Sequence, residues 1–281
     1  MNTNQKVWFI TGANKGIGAA IAQEALANGY QVVATARQVA SAEKTLGTHP
    51  NLLIVPLDVT NEQQVQEAVA AATAKFGHID VLVNNAGYGL LGYFEEMSAE
   101  TIRKQLETNL FGTMSVTRAV LPVMRGQGQG FVVVVSSTAG IRAVGGGSVY
   151  SASKFALEGW SEGMNLDMKP FGIRFMLLEP GPFRTDFADA DSSMQLPDQQ
   201  VPAYDEARSA LENVFRKMNG TQAGDPAKLA KGLLKVVNSE NPPVRLLISK
   251  VSIPVIDTYY KTRFAEFEQW QHVSADSDFE E

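Results

Sequence analysis

The spacing of apolar and polar residues along the chain predicts short strands that alternate with helices. Each predicted strand is a short run rich in apolar and β-branched residues, with turn-forming residues on either side. These runs lie at Val7–Ile10, Gln31–Thr35, Leu52–Leu57, Val81–Val83, Phe131–Val135, Arg174–Leu178 and Arg245–Ile248. Several of them are apolar on both faces, which is typical of a parallel sheet buried between two helical layers.

Capping signals mark the helices between these runs. Ile17–Asn28 is followed by Gly29, a common C-cap, and a second helix is closed by Gly77. The residues placed to cap helix starts are Thr60, in a capping box that runs to Gln63, then Ser98 and Asp225. No repeat or linker divides the chain. We therefore predict one α/β domain over residues 1–273, with three α/β/α layers around a doubly wound parallel sheet.

Three segments fall outside this alternation. Residues 182–224 are rich in Asp, Ser, Gln and Pro with scattered apolar side chains, which predicts a functional lid or an ordered insertion, here assigned as a substrate loop. Residues 274–281 are acidic and poor in apolar side chains, which predicts a disordered tail. For residues 253–270 two roles stay open, because this segment could close the fold or join an interface.

The composition is that of an ordinary soluble globular protein. The 281 residues are 44% hydrophobic and 19% charged, with a net charge of −6 and no long basic run, so nucleic acid is not an expected partner. Cysteine is absent, which excludes disulfides and thiolate chemistry. The apolar run near the amino terminus is too short for a signal peptide or a membrane span, so a cytoplasmic location is expected. The histidines, His49, His78 and His272, are far apart and predict no metal site.

A glycine-rich turn follows the first predicted strand and opens the first helix. Gly12, Gly16 and Gly18 would let the backbone approach a pyrophosphate, which the helix N-terminus stabilises. The spacing differs from the common Gly-x-Gly-x-x-Gly fingerprint, and in isolation such a turn could be plain loop chemistry. Its place at the first strand–helix junction of an α/β fold favours a nucleotide site.

Tyr150 and Lys154 are four residues apart, which on a helix places the phenol and the ammonium on one face. A fixed cation within about 4–6 Å would lower the tyrosine pKa from its ordinary value near ~10 and prepare the phenol for general acid–base work. Ser137, upstream of the tyrosine, could donate a hydrogen bond to an oxygen that becomes negative. Taken alone, the pair could also be a solvated helix face.

Together these motifs resemble the short-chain dehydrogenase/reductase family, and in particular an NADP-preferring carbonyl reductase. The resemblance rests on the order and spacing of Thr11–Gly18, Asn84–Gly87, Asn109, Ser137, Tyr150 with Lys154, and Pro180–Gly181. It implies a Rossmann-type sheet of about seven strands, a nicotinamide cofactor and the interconversion of a carbonyl with an alcohol. It also implies a homodimer or homotetramer.

The resemblance assigns roles to single residues. Tyr150 would be the general acid, Ser137 would polarise the substrate carbonyl, and Lys154 would hold the nicotinamide ribose and lower the tyrosine pKa. Asn109 would anchor a water that links Lys154 to solvent. The predicted catalytic residues are thus Asn109, Ser137, Tyr150 and Lys154, and the predicted cofactor-binding residues are Gly12, Asn14, Lys15, Gly16, Ile17, Gly18, Arg37, Asp58, Val59, Asn85, Ala86, Gly87, Tyr150, Lys154, Pro180, Gly181 and Thr185.

Simpler structural roles stay open for several of these residues. Ser137 could cap the backbone at a strand end, and Asn109 could lie on a wet helix face. Asp58 could start a helix rather than accept from an adenine amine. Asn84 and Asn85 could be turn formers that support the cofactor.

The end of the second predicted strand favours NADP over NAD. A site for NAD usually carries an acid there to bind the ribose 2′-hydroxyl, but no acid follows this strand before Glu43. Arg37 offers a planar cation suited to a phosphate, and Lys15 in the glycine turn adds a second cation. Each could instead be a solvated surface charge; together they predict NADP(H).

The predicted substrate pocket lies between the catalytic pair, the loop 143–148 and the insertion. The expected substrate-binding residues are Ser137, Tyr150, Val144, Phe183 and Phe187, and further lining candidates are Tyr88, Leu90, Leu91, Ala143 and Met194. Most of them are apolar, which favours a hydrophobic ketone or aldehyde over a sugar or a phosphorylated metabolite. Many of the same side chains could instead be core.

Two other functions remain open, and a third is disfavoured. An epimerase or dehydratase could use the same cofactor as a tightly held catalyst. A non-catalytic dinucleotide sensor could share the fold, although such a protein would be expected to lack the tyrosine or the lysine. A serine hydrolase is disfavoured because the Gly-x-Ser-x-Gly motif is absent.

Overall fold

The centre of the fold is a parallel sheet, in a computed structural model that describes residues 5–188, 193–277 and 279. The strands are β1 (Val7–Ile10), β2 (Gln31–Ala36), β3 (Leu52–Pro56), β4 (Val81–Asn84), β5 (Gly89–Leu90), β6 (Gly130–Val135), β7 (Ile173–Pro180), β8 (Met194–Gln195) and β9 (Arg245–Ile248). Seven of them form the sheet in the order β3-β2-β1-β4-β6-β7-β9, and β5 pairs with β8 separately. The chain winds outwards on both sides of β1 and β4, which confirms the predicted doubly wound, Rossmann-type sheet.

Helices cover both faces of the sheet. They are α1 (Gly16–Ala27), α2 (Val39–Leu46), α3 (Glu62–Phe76), α4 (Ala99–Leu106), α5 (Gly112–Gln127), α6 (Ser148–Met168), α7 (Asp205–Met218), α8 (Pro226–Val237) and α9 (Ile253–Ala275). Because successive side chains of a strand point to opposite faces, Trp8 and Phe9 enter different core clusters. Phe9 shares its cluster with residues of α3, α5 and α6, and Trp8 with residues of α1 and α8. Burying each of these rings stabilises the fold by about 1.5–3 kcal/mol.

The cap at the start of α3 differs from the prediction. Asn61 accepts the backbone N–H of Gln64 at 3.1 Å on its Oδ1 atom. The predicted capping box at Thr60 is therefore wrong, and the Thr60 hydroxyl instead donates to Asp58 at 2.7 Å. The predicted caps that the structure confirms are Ser98 and Asp225 at helix starts and Gly77 at the end of α3.

The insertion at residues 182–224 is folded back onto the segment that follows β4. It contributes β8 and α7, and its residues 189–192 lie outside the described part of the chain. The sequence analysis did not predict α7. The pairing of β8 with β5 joins Gly89 to Met194 and Leu90 to Gln195, so the insertion is attached to the segment by backbone hydrogen bonds.

Two acidic side chains attach the insertion more firmly. Asp198 accepts from the backbone N–H of Ser98 (2.9 Å), from its hydroxyl (2.6 Å) and from the Thr101 hydroxyl (2.7 Å). These hydrogen bonds hold the pKa of the Asp198 carboxyl well below its usual value. Glu96, which is fully buried, forms an ion pair with Arg208 of α7.

The carboxyl-terminal part of the chain forms a long, exposed helix. Within α9 the buried residue is Ile256. The helix continues to Ala275, so the first two residues of the predicted disordered tail are helical, while residues 278, 280 and 281 lie outside the described part. Across the described ranges, no helix is both long enough and apolar enough to span a membrane.

The position of the α3 cap can be tested by alanine substitution. Asn61→Ala removes the acceptor for a backbone N–H of the first turn, and we expect it to lower the free energy of unfolding by about 1 kcal/mol. Thr60→Ala is the matched control and should cost about 0.5 kcal/mol or less, since it removes an exposed hydroxyl. Urea unfolding measures both values, and an equal or larger loss in Thr60→Ala would restore the capping-box interpretation.

The attachment of the insertion can be tested through Asp198. Asp198→Ala removes the acceptor of three hydrogen bonds, so local opening of the insertion should become more frequent. We expect limited tryptic cleavage in α7 to accelerate by on the order of five-fold. Asp257→Ala serves as the control, because Asp257 pairs with Lys261 on α9, outside the insertion. Equal cleavage rates in the two variants would show that Asp198 does not fasten the insertion.

Candidate active site

The glycine turn between β1 and α1 is held against the end of β4. The side chain of Asn85 donates to the carbonyls of Thr11 (2.9 Å) and Gly12 (3.0 Å). In return, the Thr11 hydroxyl accepts the backbone N–H groups of Asn85 and Ala86, both at 2.9 Å. A Cβ at Gly12 would lie 3.0 Å from Ala86 Cα, and a Cβ at Gly18 would lie 2.4 Å from Asn85 Nδ2. Asn85 thus supports the turn. Glycine is required at positions 12 and 18 because the segment after β4 lies too close to leave room for a side chain.

The same turn exposes the N-terminus of α1 at the carboxyl edge of the sheet. Gly12 and Gly16 have φ angles of +64° and +58°, which L side chains rarely adopt. Thr185 reaches this turn from the insertion, since a Cβ at Gly16 would lie 3.5 Å from its Cβ. Backbone N–H groups in the first turn of a helix have no partner within it, and with the helix dipole they favour an anion. The turn therefore offers the kind of donors that a pyrophosphate would require.

Other predicted cofactor residues lie along this edge with partners of their own. The Asp58 carboxylate accepts from the backbone N–H (3.0 Å) and hydroxyl (2.7 Å) of Thr60, so it forms a local turn after β3. Val59 is buried, and a Cβ at Gly112 would lie 2.5 Å from its Cγ2. The Asn14 side chain donates to Ser41 Oγ at 3.2 Å.

Residues after β2, β4 and β7 complete the edge. Arg37 follows β2 and is exposed. Burial raises the pKa of Tyr88, and the charge of Arg37 opposes the rise. Pro180 ends β7, and a Cβ at Gly181 would lie 2.2 Å from Ser252 Oγ. The predicted cofactor residues Lys15, Ile17 and Gly87 lie in the glycine turn, at the start of α1 and after β4.

Tyr150 lies on α6 and Ser137 follows β6, and the Ser137 hydroxyl lies within hydrogen-bonding reach of the Tyr150 phenol. Tyr150 is 8% exposed. Burial raises its pKa to about 12, and the hydrogen bond with Ser137 opposes the rise. The expectation that Lys154 lowers this pKa is therefore wrong for the protein alone, because desolvation of the phenol dominates. Ser137 also accepts the N–H of Ala139 at 3.1 Å, so it caps the backbone as well as lying beside Tyr150.

Lys154 lies one helical turn after Tyr150 and is also buried. Its ammonium donates to the carbonyl of Val135 at 2.8 Å and lies 5.8 Å from the centre of the Tyr150 ring. Burial lowers the Lys154 pKa to about 8, and the charge of Glu158 opposes this change. The prediction that Tyr150 and Lys154 lie on one face of a helix is confirmed, and both side chains are buried rather than solvated.

Asn109 lies in a π-helical turn, Glu107–Phe111, that joins α4 to α5. It is 1% exposed, so a wet helix face is excluded. Its side chain donates to the carbonyl of Tyr88 (2.9 Å) and to Ser153 Oγ (3.2 Å), and accepts the N–H of Tyr88 (3.1 Å). Asn109 thus fastens the segment after β4 to α6, directly beside Lys154. The Asn84 side chain donates to Thr117 Oγ1 at 2.8 Å and supports α5 rather than the cofactor edge.

An apolar cluster covers Tyr150. Phe187 lies with its ring centre 5.6 Å from that of Tyr150. The members of the cluster are Leu91, Ala139, Tyr150 and Met194, with Phe187 and Phe215 packed against them. Leu211 of α7 also reaches the loop beside the site, since a Cβ at Gly146 would lie 2.3 Å from its Cδ2. Val144 in this loop is 41% exposed.

Sequence reasoning missed Leu211 and Phe215. The signal was present, because Leu211, Val214, Phe215 and Met218 have the i, i+3, i+4, i+7 spacing of an amphipathic helix. The surrounding polar composition of the insertion concealed it.

For two residues, Phe183 and Leu90, the predicted place in the substrate pocket is wrong. Phe183 is 9% exposed and belongs to the core cluster beneath α8, where a Cβ at Gly224 would lie 2.6 Å from its ring. Leu90 is fully buried with Met97 and Val149. Neither side chain joins the cluster around Tyr150, because each is already packed into a different part of the interior.

Comparisons with known proteins agree with this arrangement. A family model described as short chain dehydrogenase matches residues 6–196. Oxidoreductase BOA17 of Botryotinia fuckeliana is 38% identical over 271 residues, which are 96% of this chain and 98% of that protein. The 3-ketodihydrosphingosine reductase of Bacteroides thetaiotaomicron is 35% identical over 241 residues, 85% of this chain and 86% of that protein. A crystal structure of a short-chain dehydrogenase from Streptomyces avermitilis shares 36% identity with a TM-score of 0.89, and the match covers 98% of this chain and 100% of that one. The chain belongs to the short-chain dehydrogenase/reductase family of oxidoreductases.

Proposed function

We propose that the protein is an NADP(H)-dependent oxidoreductase that interconverts a hydrophobic ketone or aldehyde with the corresponding alcohol, with Tyr150 as general acid and base. Membership of the family makes the chain an NAD(P)-dependent oxidoreductase, and the cofactor choice, the substrate class and the residue roles are the proposal. The observation that carries it is the Tyr150 phenol with the Ser137 hydroxyl in hydrogen-bonding reach and the buried Lys154 ammonium 5.8 Å from its ring centre, at the same edge as the glycine turn.

In this proposal Ser137 and Tyr150 bind the substrate oxygen from one side. A bound nicotinamide supplies or removes the hydride. Ser137 holds the oxygen as a neutral donor, and Tyr150 gives its proton to that oxygen as negative charge develops. A pKa of about 12 keeps the phenol protonated at neutral pH, which suits the direction of carbonyl reduction.

Lys154 and Asn109 would complete the proton-handling group. With a pKa of about 8, most Lys154 side chains are charged at neutral pH and can hold the two ribose hydroxyls of the cofactor. We assign to Asn109 the anchoring of a water between Lys154 and solvent. Its fixed position between Tyr88 and Ser153 supports this assignment.

NADP(H) is favoured by the charges at the end of β2. Arg37 is exposed at the carboxyl edge, and Lys15 lies in the glycine turn. A guanidinium can bind a ribose 2′-phosphate through two parallel hydrogen bonds, whereas an acid at this place would repel it. The residues that would hold the pyrophosphate are those of the turn at Gly12–Gly18, with Thr185 opposite.

The covering cluster favours a hydrophobic substrate. Leu91, Phe187, Met194 and Phe215 offer apolar surface next to Tyr150. A relative with 35% identity is named for the reduction of a keto compound, which agrees with this direction.

Tyr150 and Lys154 are both present and lie close together, which favours a catalytic enzyme over a non-catalytic dinucleotide sensor. An epimerase or dehydratase is the second candidate function. Exposed Phe111 and Phe155, near the catalytic residues in the chain, support a homodimer or homotetramer.

Tyr150→Phe tests the proposed mechanism. The variant keeps the ring against Phe187 and loses the acidic hydroxyl, so turnover of NADPH with a panel of ketones and aldehydes of graded size should fall by on the order of 10³-fold. Binding of NADPH, read from its fluorescence, should change less than about three-fold. Tyr30→Phe removes a hydroxyl that lies far from the site and accepts from Asn238, and should retain activity. Full activity in Tyr150→Phe would overturn the mechanism. Cofactor that stays bound through gel filtration would favour the epimerase.

Arg37→Asp tests the cofactor choice. We expect the unmodified protein to use NADPH at least ~10-fold more efficiently than NADH, a difference of about 1.4 kcal/mol. The substitution should reverse this preference, because it replaces a phosphate-binding cation with an acceptor for the 2′-hydroxyl. Arg174→Asp is the matched control, since Arg174 lies near the amino end of β7, at the opposite edge of the sheet. Equal use of both cofactors by the unmodified protein would contradict the proposal.

A further inference from the structure

A buried group of charged residues lies behind Lys154. Glu158 is one turn further along α6 and is 8% exposed, and Glu179 is near the end of β7 and is 2% exposed. Arg245 at the start of β9 reaches both, with its Nε atom 3.0 Å from Glu158 Oε2 and 3.8 Å from Glu179 Oε1. The same guanidinium pairs with Glu162 on α6, which is more than half exposed. None of these four residues has a role in the proposed chemistry.

The charges in this group do not balance if every carboxyl is ionised. Three carboxyls then share one guanidinium, and two of those carboxyls are desolvated. Glu158 Oε1 and Glu179 Oε1 are both buried without a hydrogen-bond partner among the residues that the structure describes. Two adjacent desolvated carboxylates repel each other, so one of them retains a proton.

The retained proton is best placed on Glu179. Burial, together with the charge of Glu158 and against the charge of Arg245, raises the pKa of Glu179 to about 8. The carboxyls of Glu179 and Glu158 are close enough to share a hydrogen bond once one of them is protonated. Glu158 has the closer contact with Arg245, so it is the member of the pair that carries the negative charge.

Glu158 connects this pair to the candidate active site. It lies four residues after Lys154 on α6, and its charge supports the ammonium against the effect of burial. We propose that Glu179 and Glu158 share one proton and so set the negative charge that keeps Lys154 protonated, which makes Glu179 a positioning residue that acts through Lys154. The proposal rests on the proposed function, in which Lys154 holds the cofactor ribose as an ammonium.

The remaining titratable groups that face Glu179 do not change this conclusion near neutral pH. Arg245 stays charged, and Glu162 is largely in solvent. Tyr260 of α9 approaches the group, and burial raises its pKa, so it stays neutral. Above about pH 8 the pair therefore loses its proton and acquires a second negative charge. That charge extends the protonated range of Lys154 into alkaline solution.

Glu179→Gln provides the test, because glutamine keeps the shape and cannot ionise. In protein labelled with ¹³C-lysine, the Cε shift of Lys154, assigned with Lys154→Met, reports its titration directly. We expect the Lys154 midpoint to fall by on the order of half a pH unit in Glu179→Gln. Glu162→Gln is the control, since it removes a carboxyl from the same guanidinium without touching the buried pair, and it should leave the midpoint unchanged.

A second measurement separates the proposal from a simple packing role. A carboxyl whose pKa is higher in the folded than in the unfolded chain stabilises the fold below its unfolded pKa, and this stabilisation is lost as pH rises towards about 8. The fall in melting temperature between about pH 5 and about pH 9 should therefore be smaller in Glu179→Gln than in the unmodified protein. A packing defect would lower both temperatures equally.

The outcomes are distinct. An unchanged Lys154 midpoint in Glu179→Gln, or the same shift in Glu162→Gln, would overturn the proposal. Should Glu179→Gln fold poorly, Glu158→Gln must show a larger fall of the Lys154 midpoint, since Glu158 carries the charge. Because the titration uses neither substrate nor cofactor, a failed reductase assay would reject the proposed function and leave this test standing.

Discussion

The buried ammonium of Lys154 is fixed by a hydrogen bond to the carbonyl of Val135, and the geometry of the site depends on that bond. Val135 ends β6, and Ser137 follows two residues later on the same strand end. The other end of the contact is α6, which carries Tyr150. Burying an amine is costly unless it is paired, so the bond and the nearby charge of Glu158 determine where α6 can lie on the sheet. These contacts thereby fix the distance between the end of β6 and α6.

Desolvation moves the two central pKa values in opposite directions. It raises that of Tyr150 and lowers that of Lys154, since the charged form of each group is the one that burial disfavours. Much of the apolar cover comes from the insertion, through Met194, Phe187 and Phe215. The insertion therefore contributes to the burial that raises the pKa of Tyr150. A substrate that displaces these side chains changes the environment of the phenol.

The features that the sequence predicts well are local ones. Strand positions, the glycine turn and the Tyr150/Lys154 spacing follow from periodicity and backbone requirements within a few residues. The errors concern burial, which depends on contacts between distant segments. Phe183 lies under α8 rather than in the pocket, and burial raises the pKa of Tyr150 although Lys154 lies one helical turn away. The carboxyl pair behind Lys154 joins residues from α6 and β7 that no sequence spacing connects.

The π-helical turn at Glu107–Phe111 acts as a change of phase between α4 and α5. An α-helix rotates by about 100° per residue, and a π turn contains one residue more, so the faces on its two sides are offset by about that angle. The chain can then stay helical throughout while α4 and α5 contact different parts of the fold. Gln105 before the turn bonds to the segment at residues 88–90, while Val116 and Val120 after it pack on the sheet. Deleting one residue from this turn would rotate one helix relative to the other by about 100°. The Asn109 side chain would then turn away from both of its partners, Tyr88 and Ser153.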